Sequence, residues 1–364
     1  MSFRTSTRRA LAAGFGASAI ALTLAVAVPP AGASERNRNA YERTNLISDQ
    51  AGVAQLRDPN LVNAWGLATG PTTPLWVADN GTDVATTYRG AVNGSPVTAT
   101  PTVVHITGGA PTGQLNNATN DFVVSSGSKS GPARFIFVSE NGGITGWNPT
   151  VDMTHTIVGF TDPNAVYKGV AFAPTEDGSR LYAANFKAGT VDVFDGHFKP
   201  VHQTGTFVDP SLPAGFAPFR IAFLDGHVFV TYALQNAQKH DDVAGPGHGF
   251  IDVYTTEGHL DRRLVRGGVL NSPWGVDLAP KGFGHFGGAL LVGNFGDGLI
   301  HAFDPRTGEL LGTLRDEHHR PIVIDGLWGM HFGNGVFGTP NALVFAAGPA
   351  HEAHGLVGTL TAEG

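Results

Sequence analysis

The sequence predicts an all-β protein, a six-bladed β-propeller built from four-stranded antiparallel blades. Three segments share one pattern: Trp65-Gly66-Leu67, Trp274-Gly275-Val276 and Trp328-Gly329-Met330. Weaker copies contain Thr112-Gly113, Lys168-Gly169 and Arg220-Ile221, so successive copies are 47, 56, 51, 55 and 54 residues apart. Six copies of a unit of about 50 residues are typical of propellers, in which each copy forms one blade.

The fifth copy shows the four strands most clearly. Its segments alternate or run apolar between Gly- and Pro-rich turns, at residues 271–278, 289–294, 299–303 and 310–314. Asp304-Pro305 opens a type I turn between the last two. Three blades also share a fixed spacing, in which Asp79, Asn185 and Asn294 each precede an aromatic residue of the third strand by nine positions. The pattern predicts one β-meander per blade.

The first 33 residues are predicted to be a cleaved signal peptide. Arg4, Arg8 and Arg9 precede an apolar run, residues 10–28, and Ala31-Gly32-Ala33 offers the small residues of a cleavage site. A single membrane anchor is the competing interpretation. We therefore expect a secreted, extracytoplasmic protein with a polar leader at residues 34–40 and one propeller domain at residues 41–364.

Charge and cysteine content restrict the partners. Cleavage removes three arginines and no acid, so the formal charge of −7 becomes −10. Nucleic acid is therefore not an expected partner. The chain has no cysteine and hence no disulfide, so burial has to stabilise it. We expect a monomer without a membrane span once the signal peptide is removed.

The ends of the chain are expected to close the ring. Residues 41–49 precede the first inner strand and have no blade of their own. Pairing this strand beside residues 355–360 of the last blade would remove the free edges of an open ring. The sequence therefore predicts that an N-terminal strand completes the sixth blade.

Several motifs resemble an uncharacterised family of exported bacterial β-propellers over nearly the whole mature chain. The motifs are Asn60–Gly66, Trp76–Asn80, Lys239–Gly247, Leu291–Gly298 and Ala347–Pro349. Some members of that family carry a PEP C-terminal sorting signal, which this chain lacks. The resemblance implies the propeller fold and assigns no catalytic residue. A more distant similarity to NHL-type propellers lies in the inner-strand glycines and the third-strand aromatics.

Candidate ligand-binding residues lie on the face where loops enter the first strand and leave the second strand of each blade. Propellers usually place their sites on this face, beside the central channel. The candidates are polar or charged: Asn63, Asp79, Asn80, Glu140, Lys168, Asn185, Arg220, Asn294, Asp297 and Asp325. A small molecule, a glycan or an extracellular protein would suit such a surface.

A tentative metal site is expected between two loops that share an Ala-Gly-Pro motif 103 residues apart, at Ala244 and Ala347. Two imidazoles and a carboxylate are a common transition-metal ligand set. The candidate ligands are His240, Asp241, Asp242, His248, His351, Glu352 and His354. The alternative is that these are ordinary solvated loops in a chain with 15 histidines.

Calcium is the other candidate cofactor. Oxygen ligands could surround the pore, as in six-bladed lactonases, from Asn63, Asp79, Asn80, Glu140, Asn185 and Asn294. The competing interpretation, which we favour, is that Asp79, Asn185 and Asn294 bond the backbone of their own turns. The three inner-strand tryptophans could stack on a sugar or a flat cofactor, but packing between blades is the commoner role of such residues.

Function is therefore predicted only by class. We favour a secreted binding or scaffold propeller of unknown ligand, because the chain has no Gly-x-Ser-x-Gly elbow, HExxH motif or phosphate loop. A metal-dependent lactonase- or esterase-like hydrolase is the alternative. A quinone-dependent oxidoreductase is a lesser one, in which Lys168 and Arg220 would offer positive charge to an acidic cofactor.

Overall fold

The computed structural model describes residues 39–202 and 204–363, which form a ring of six sheets whose strands pair antiparallel, apart from one short parallel pair at Leu56–Arg57. The predicted six-bladed propeller is confirmed. Within these residues the helical elements are two 3-10 turns, Asn80–Thr82 and Gly284–Phe286, so none could cross a bilayer. The predicted signal peptide lies outside the described residues.

The sheets contain strands that we number in chain order. The first half comprises β1 (Tyr41–Ser48), β2 (Leu56–Arg57), β3 (Ala64–Ala68), β4 (Leu75–Asp79), β5 (Val84–Arg89), β6 (Thr98–His105), β7 (Pro111–Asn116), β8 (Val123–Ser126), β9 (Lys129–Pro132), β10 (Phe135–Ser139), β11 (Gly143–Trp147), β12 (Ile157–Thr161) and β13 (Tyr167–Thr175). The second half comprises β14 (Gly178–Asn185), β15 (Thr190–Asp195), β16 (Phe216–Leu224), β17 (His227–Leu234), β18 (Phe250–Tyr254), β19 (Leu260–Arg266), β20 (Pro273–Leu278), β21 (Leu290–Asn294), β22 (Ile300–Phe303), β23 (Leu310–Thr313), β24 (Leu327–Phe332), β25 (Leu343–Ala347) and β26 (Leu356–Ala362).

Each blade is a meander that begins at the channel. Blade one is β3 to β6, and blade two is β7, β10, β11 and β12 with the hairpin β8–β9 inserted after its inner strand. Blades three, four and five are β13 to β15, β16 to β19 and β20 to β23. Blade six is β24 to β26, completed by β1 and β2.

The N-terminal strand closes the ring as predicted. Strand β1 pairs antiparallel with β26, from Tyr41 opposite Ala362 to Ser48 opposite Leu356. The end of the predicted leader contacts the neighbouring blade five, because the Asn39 amide donates to the Thr313 carbonyl of β23 at 3.0 Å. First and last strands therefore share one blade, and neither leaves a free edge at the junction.

Blade three departs from the predicted four strands. Among the described residues its sheet has three, and beyond β15 only one isolated bridge forms, between Phe194 and Pro200. The chain that follows contains Pro200, Pro210 and Pro213. Proline lacks the N–H that a ladder needs, which explains why no regular fourth strand forms here.

One buried apolar cluster lies at each of the six interfaces between neighbouring blades. The aromatic residues of the nine-residue spacing, Tyr88, Phe194 and Phe303, lie on third strands and are each 2% exposed or less. They belong to three different interface clusters. The repeat therefore marks side chains that fix one blade against the next by hydrophobic burial.

The inner strands share a second feature at the repeated dipeptide. The ladder between first and second strand shifts register in every blade at this place, so an extra inner-strand residue is left outside the pairing, as in a β-bulge. The six bulge residues, one from each blade, are Trp65, Thr112, Lys168, Phe219, Trp274 and Trp328. All six are buried.

The glycine after the bulge lets neighbouring inner strands approach. A Cβ at Gly66 would lie 2.3 Å from the Thr112 carbonyl oxygen, and one at Gly329 would lie 2.4 Å from the Trp65 carbonyl oxygen. Both contacts are with backbone of the next blade and are too short for a real side chain. In the Trp-Gly pattern, the tryptophan therefore occupies the bulge and the glycine allows close packing of neighbouring inner strands.

Candidate ligand-binding site at the top of the channel

Aromatic side chains fill the middle of the channel. The Trp65 and Trp328 rings stack with centroids 3.7 Å apart, and the Phe295 ring also stacks on Trp328, with centroids 3.8 Å apart. Trp274 meets Trp65 edge-on at 6.2 Å. These two belong to blades five and one, which are not neighbours, so the contact lies at the centre of the ring. The tryptophans are buried as expected, but they pack in the channel, and the expectation of packing between blades was wrong.

We call this cluster the aromatic plug; its members are Trp65, Phe186, Ala217, Phe219, Ala233, Trp274, Phe295 and Trp328. The top face is the side where loops enter the inner strands, and the bottom face is the opposite side. Stacked aromatic faces leave little room for a ligand between them. The tryptophans therefore close the channel beneath the residues of the top face.

Lys168 occupies the bulge position of blade three, where three other blades place tryptophan. Lys168 is 2% exposed, and its ammonium lies 5.2 Å from the centroid of the Trp65 ring. The ammonium donates to Glu140 Oε1 and to Asp241 Oδ1, the second at 3.5 Å. A buried lysine requires such partners, because desolvating an unpaired ammonium is costly. The Trp274 indole N–H also donates to the Lys168 carbonyl at 3.0 Å.

Hydrogen bonds extend this ion pair across the top face. Asn80 donates to Glu140 Oε2 at 3.1 Å, and Asn63 donates to Asn80 Oδ1 at 3.2 Å. Asn63 also donates to Glu352 Oε2 at 2.7 Å. The polar arc thus runs from blade six through blades one, two and three to the loop of blade four. It is anchored to the plug where the Trp328 indole donates to Asn63 Oδ1 at 3.0 Å.

The long loop of blade four brings Asp241 to the arc. It is held over the channel by Gln235, whose amide donates to the Phe186 carbonyl, and by the Gly245 N–H, which donates to Asn271 Oδ1 at 2.7 Å. Within the loop, His240 Nδ1 lies 2.7 Å from Asp241 Oδ1. The loop is therefore tied to blades three and five on either side.

Glu352 reaches the arc from a backbone turn of unusual shape. Ala350, His351 and Glu352 all have left-handed φ angles, of 57°, 56° and 66°. Residues other than glycine disfavour the left-handed region, at a cost of about 1–2 kcal/mol per residue. Asp325 supports the turn by accepting the Ala350 N–H at 2.8 Å. Strained backbone of this kind concentrates at functional sites, which keeps Glu352 among the candidate residues.

The site carries more negative than positive charge. Four carboxylates, Glu140, Asp241, Asp242 and Glu352, act on or contact the single ammonium of Lys168. Burial raises the pKa of Glu352 above its usual value, and the charge of Glu140 adds to that rise. Burial also raises the pKa of Asp242. Burial opposes ionisation of Asp241 as well, but the His240 hydrogen bond and the Lys168 charge outweigh it and lower that pKa.

Among the described residues one group of potential metal ligands converges. Single ligand atoms of Glu140, His240 and Asp241 lie within 4.8 Å of one another. Two other histidines of the predicted set have separate partners. His248 Nδ1 lies 2.8 Å from its own loop's Val243 carbonyl, and His354 Nδ1 lies 2.7 Å from Asp49 Oδ2. The two Ala-Gly-Pro loops thus do not gather their histidines, and the second loop contributes Glu352.

The remaining candidates support the fold around the site. Asn185 Oδ1 accepts the Ala188 N–H of its own turn at 3.2 Å, as the structural interpretation expects. Asp79 and Asn294 bond elsewhere, to the Thr86 hydroxyl at 2.7 Å and the Val269 carbonyl at 2.8 Å. Burial raises the pKa of Asp79 well above its usual value. Asp297 accepts from the Asn271 amide at 3.2 Å and so holds the loop of blade four indirectly.

Arg220 lies on the other side of the plug. Its guanidinium is 4.8 Å from the Trp274 ring and donates to the Val170 carbonyl at 2.8 Å. It lines a bottom-face cavity of about 280 Å³ together with Asp277 and His331. Burial lowers the pKa of Arg220 to about 10, against the opposing effect of Asp277. The expectation that Arg220 shares the top face with Lys168 was wrong, because the bulge places Phe219, and not Arg220, at the position equivalent to Lys168.

One feature was missed from sequence although it left a signal. The 56-residue step, the longest of the five, indicated an insertion in blade two. That insertion contains the hairpin β8–β9 and leads to Arg134, which lines a cavity of about 670 Å³ on the bottom face.

Fold and site together define a six-bladed β-propeller with a polar arc above an aromatic-filled channel. Two proteins of Acanthamoeba polyphaga mimivirus, the uncharacterized proteins R648 and L690, are 31% and 32% identical to this chain over 331 and 330 residues. Each alignment covers 86% of this chain, with 78% of the first relative and 84% of the second. The chain therefore belongs to the family that includes these viral proteins. No family model matches it.

Solved structures share the fold at low identity. A structural genomics protein of unknown function from Bacteroides thetaiotaomicron VPI-5482 has a TM-score of 0.53 at 11% identity, covering 88% of this chain and 76% of its own. A chain of the COPII outer coat vertex has a TM-score of 0.52 at 12% identity, covering 82% and 70%. These likenesses concern the fold alone. Since the sequence relatives are viral, the resemblance to an exported bacterial family stays a prediction.

Proposed function

We propose that this chain is a binding propeller whose top face holds a small ligand carrying a positive charge. The observation that supports it is the excess of carboxylates, four against the one ammonium of Lys168, on loops of blades two, four and six. Like charges gathered in a partly buried site repel one another unless a cation joins them. The strained turn beneath Glu352 is the second support.

The ligand would lie above the plug, where Lys168 already neutralises part of Glu140 and Asp241. Glu352 and Asp242 are the carboxylates with raised pKa values, so they gain most from an added cation. A divalent metal ion and an organic ammonium share this chemistry. The hydrogen bonds of Asn63 and Asn80 orient the acids and leave the arc preorganised for either.

Calorimetric titration of the mature chain can separate the two ligand types. Calcium, manganese and zinc chlorides form one arm, and choline, putrescine and agmatine form the other. We expect one arm to give saturable binding that weakens about tenfold or more in Glu352→Gln, because one charge of the site is lost. Glu309→Gln, an exposed glutamate in a turn of blade five, should bind like wild type. Absence of binding in both arms at millimolar ligand would refute the proposal.

Metal-dependent hydrolysis of a lactone or similar ester is the second candidate, favoured by the convergence of Glu140, His240 and Asp241. A divalent ion bound there would supply a Lewis acid and an activated water. Lys168 now bonds the same two carboxylates, so its ammonium would have to give way to the ion.

Elemental analysis of the purified mature chain, with ester and lactone assays, tests this candidate. Stoichiometric metal should be lost in His240→Ala and kept in His351→Ala, because only His240 belongs to the converging group. If no metal copurifies and chelation leaves both the melt and any hydrolysis unchanged, this candidate fails. The binding proposal would survive that result, since organic cations need no metal.

A further inference from the structure

The bottom face has a cavity that the proposed function does not use. It lies between blades one and two, has a volume of about 670 Å³, and is of the size that holds small ligands in other proteins. The inner strands of both blades end at it, and the top-face arc lies at the opposite ends of those strands. Nothing that binds at Lys168 would reach it, because the aromatic plug separates the two faces.

Three aromatic rings form the apolar wall of this cavity. Trp76 of blade one stacks on Phe135 of blade two with centroids 4.2 Å apart, and Trp147 lies 4.7 Å from Trp76. Trp147 is fixed in place, because its indole donates to the Met153 carbonyl at 3.1 Å. A rigid wall of this kind suits a flat apolar ligand, since little entropy is lost on binding.

Two arginines give the cavity a positive charge. Arg89 and Arg134 are exposed and line it from the ends of β5 and the inserted segment of blade two. Within residues 39–202 and 204–363 neither guanidinium has an ion-pair or hydrogen-bond partner, and no lining residue is Asp or Glu. The two charged residues of the lining are thus both positive, in a chain of net charge −7.

Hydroxyl and amide groups complete the lining. Thr73, Thr100, Thr102 and Asn116 lie among the aromatic and basic residues. Guanidinium groups bind carboxylates through paired N–H donors, and threonine hydroxyls can bond the remaining oxygen lone pairs. Thr73 and Asn116 already donate to the carbonyls of Pro74 and Arg134, so among the described residues the two guanidinium groups and the Thr102 hydroxyl are left to donate to an acidic head group.

We propose that this cavity binds a small organic acid with a flat apolar body. The carboxylate would pair with Arg89 and Arg134 at the rim, while the body would lie against Trp147 and Phe135. The anion preference is opposite to that of the top face. The protein would then hold two ligands of opposite charge on its two faces.

Isothermal titration of the mature chain with 1-naphthoate, and with 1-naphthalenemethanol as the uncharged match, tests the proposal. Naphthoate should bind in a 1:1 ratio and more tightly than the alcohol. In Arg89→Gln/Arg134→Gln its affinity should fall about tenfold or more, to that of the alcohol. Arg306→Gln, an exposed arginine in a turn of blade five, should leave binding unchanged.

A second variant locates the site without touching the arginines. Ala118 is exposed and lines the cavity, so Ala118→Trp should fill it and abolish binding of both probes while the fold is kept. Glu352→Gln should bind naphthoate like wild type, which separates this test from that of the top face. Equal binding of acid and alcohol by wild type, no binding of either at millimolar concentration, or full binding by Ala118→Trp would overturn the proposal.

Discussion

Lys168 and Arg220 are cations of adjacent blades, one residue out of register in the repeat, and the aromatic plug places them on opposite faces. Lys168 contacts acids supplied by long loops, and its charge is neutralised by Glu140 and Asp241. Arg220 contacts the inner strands of the propeller itself, donating to the Val170 carbonyl and lying over the face of Trp274. The top cation therefore belongs to a site assembled by loops, whereas the bottom cation is held by the inner strands of the propeller.

The largest effect should come from Lys168→Met, which leaves the partly buried Glu140 without its cation. Removing one partner of a buried ion pair costs about 3–5 kcal/mol in the free energy of unfolding. Urea denaturation at neutral pH would measure it. Glu140→Gln in the same chain should restore part of the loss, because the uncompensated charge is then gone. A loss of under about 1 kcal/mol in the single variant would show that Lys168 is not held by charge.

A smaller effect is expected from Arg220→Met. The variant gives up one hydrogen bond to a carbonyl and one cation–π contact, which together contribute about 1–2 kcal/mol. The same denaturation series gives the comparison. A loss as large as that of Lys168→Met would break the distinction between loop-held and fold-held cations, since Arg220 would then depend on Asp277 as strongly as Lys168 depends on Glu140.

The smallest effect concerns the pH dependence of stability. Burial raises the pKa of Glu352 in the folded chain, so its contribution favours the fold below the ordinary glutamate pKa of about 4.3 and is lost as pH rises through the higher folded value. Glutamine stays neutral and still accepts from Asn63. Glu352→Gln should therefore melt at a higher temperature than wild type at pH 8, with the gap closing at pH 3.5. A gap that is the same at both pH values would contradict the assignment.

Sequence patterns predicted the fold well because the repeat follows backbone requirements. The Trp-Gly copies gave the blade count, and the unpaired segment at residues 41–49 gave the closing strand. The blade count follows from the period of the repeat, and the closing strand follows from the need to pair the edges of an open ring. The prediction of a fourth strand in blade three was wrong, because prolines, which the repeat does not report, prevent a regular ladder there.

The candidate site was predictable only as a set of loops. Glu140, Lys168 and Asp241 were placed on one face correctly, but their convergence depends on where Gln235 ties the loop of blade four. The shared Ala-Gly-Pro motif suggested paired histidines. The left-handed turn at Ala350 to Glu352 instead directs a glutamate to the arc, and propensity argues against that conformation for non-glycine residues. Export remains a prediction, because residues 1–33 lie outside the described chain.

The bulge in every inner strand makes the channel easy to redesign. A residue left out of the ladder takes no part in the pairing of the first and second strands, so its side chain is set by its other contacts, such as the stack of Trp65 on Trp328 or the bonds of Thr112 to the Val138 and Tyr167 carbonyls. In this chain the six positions hold three tryptophans, a phenylalanine, a threonine and a lysine. Relatives could carry a different channel lining on an unchanged scaffold, and grafting one new residue at a time into these positions would be a practical route to propellers with altered ligand preference.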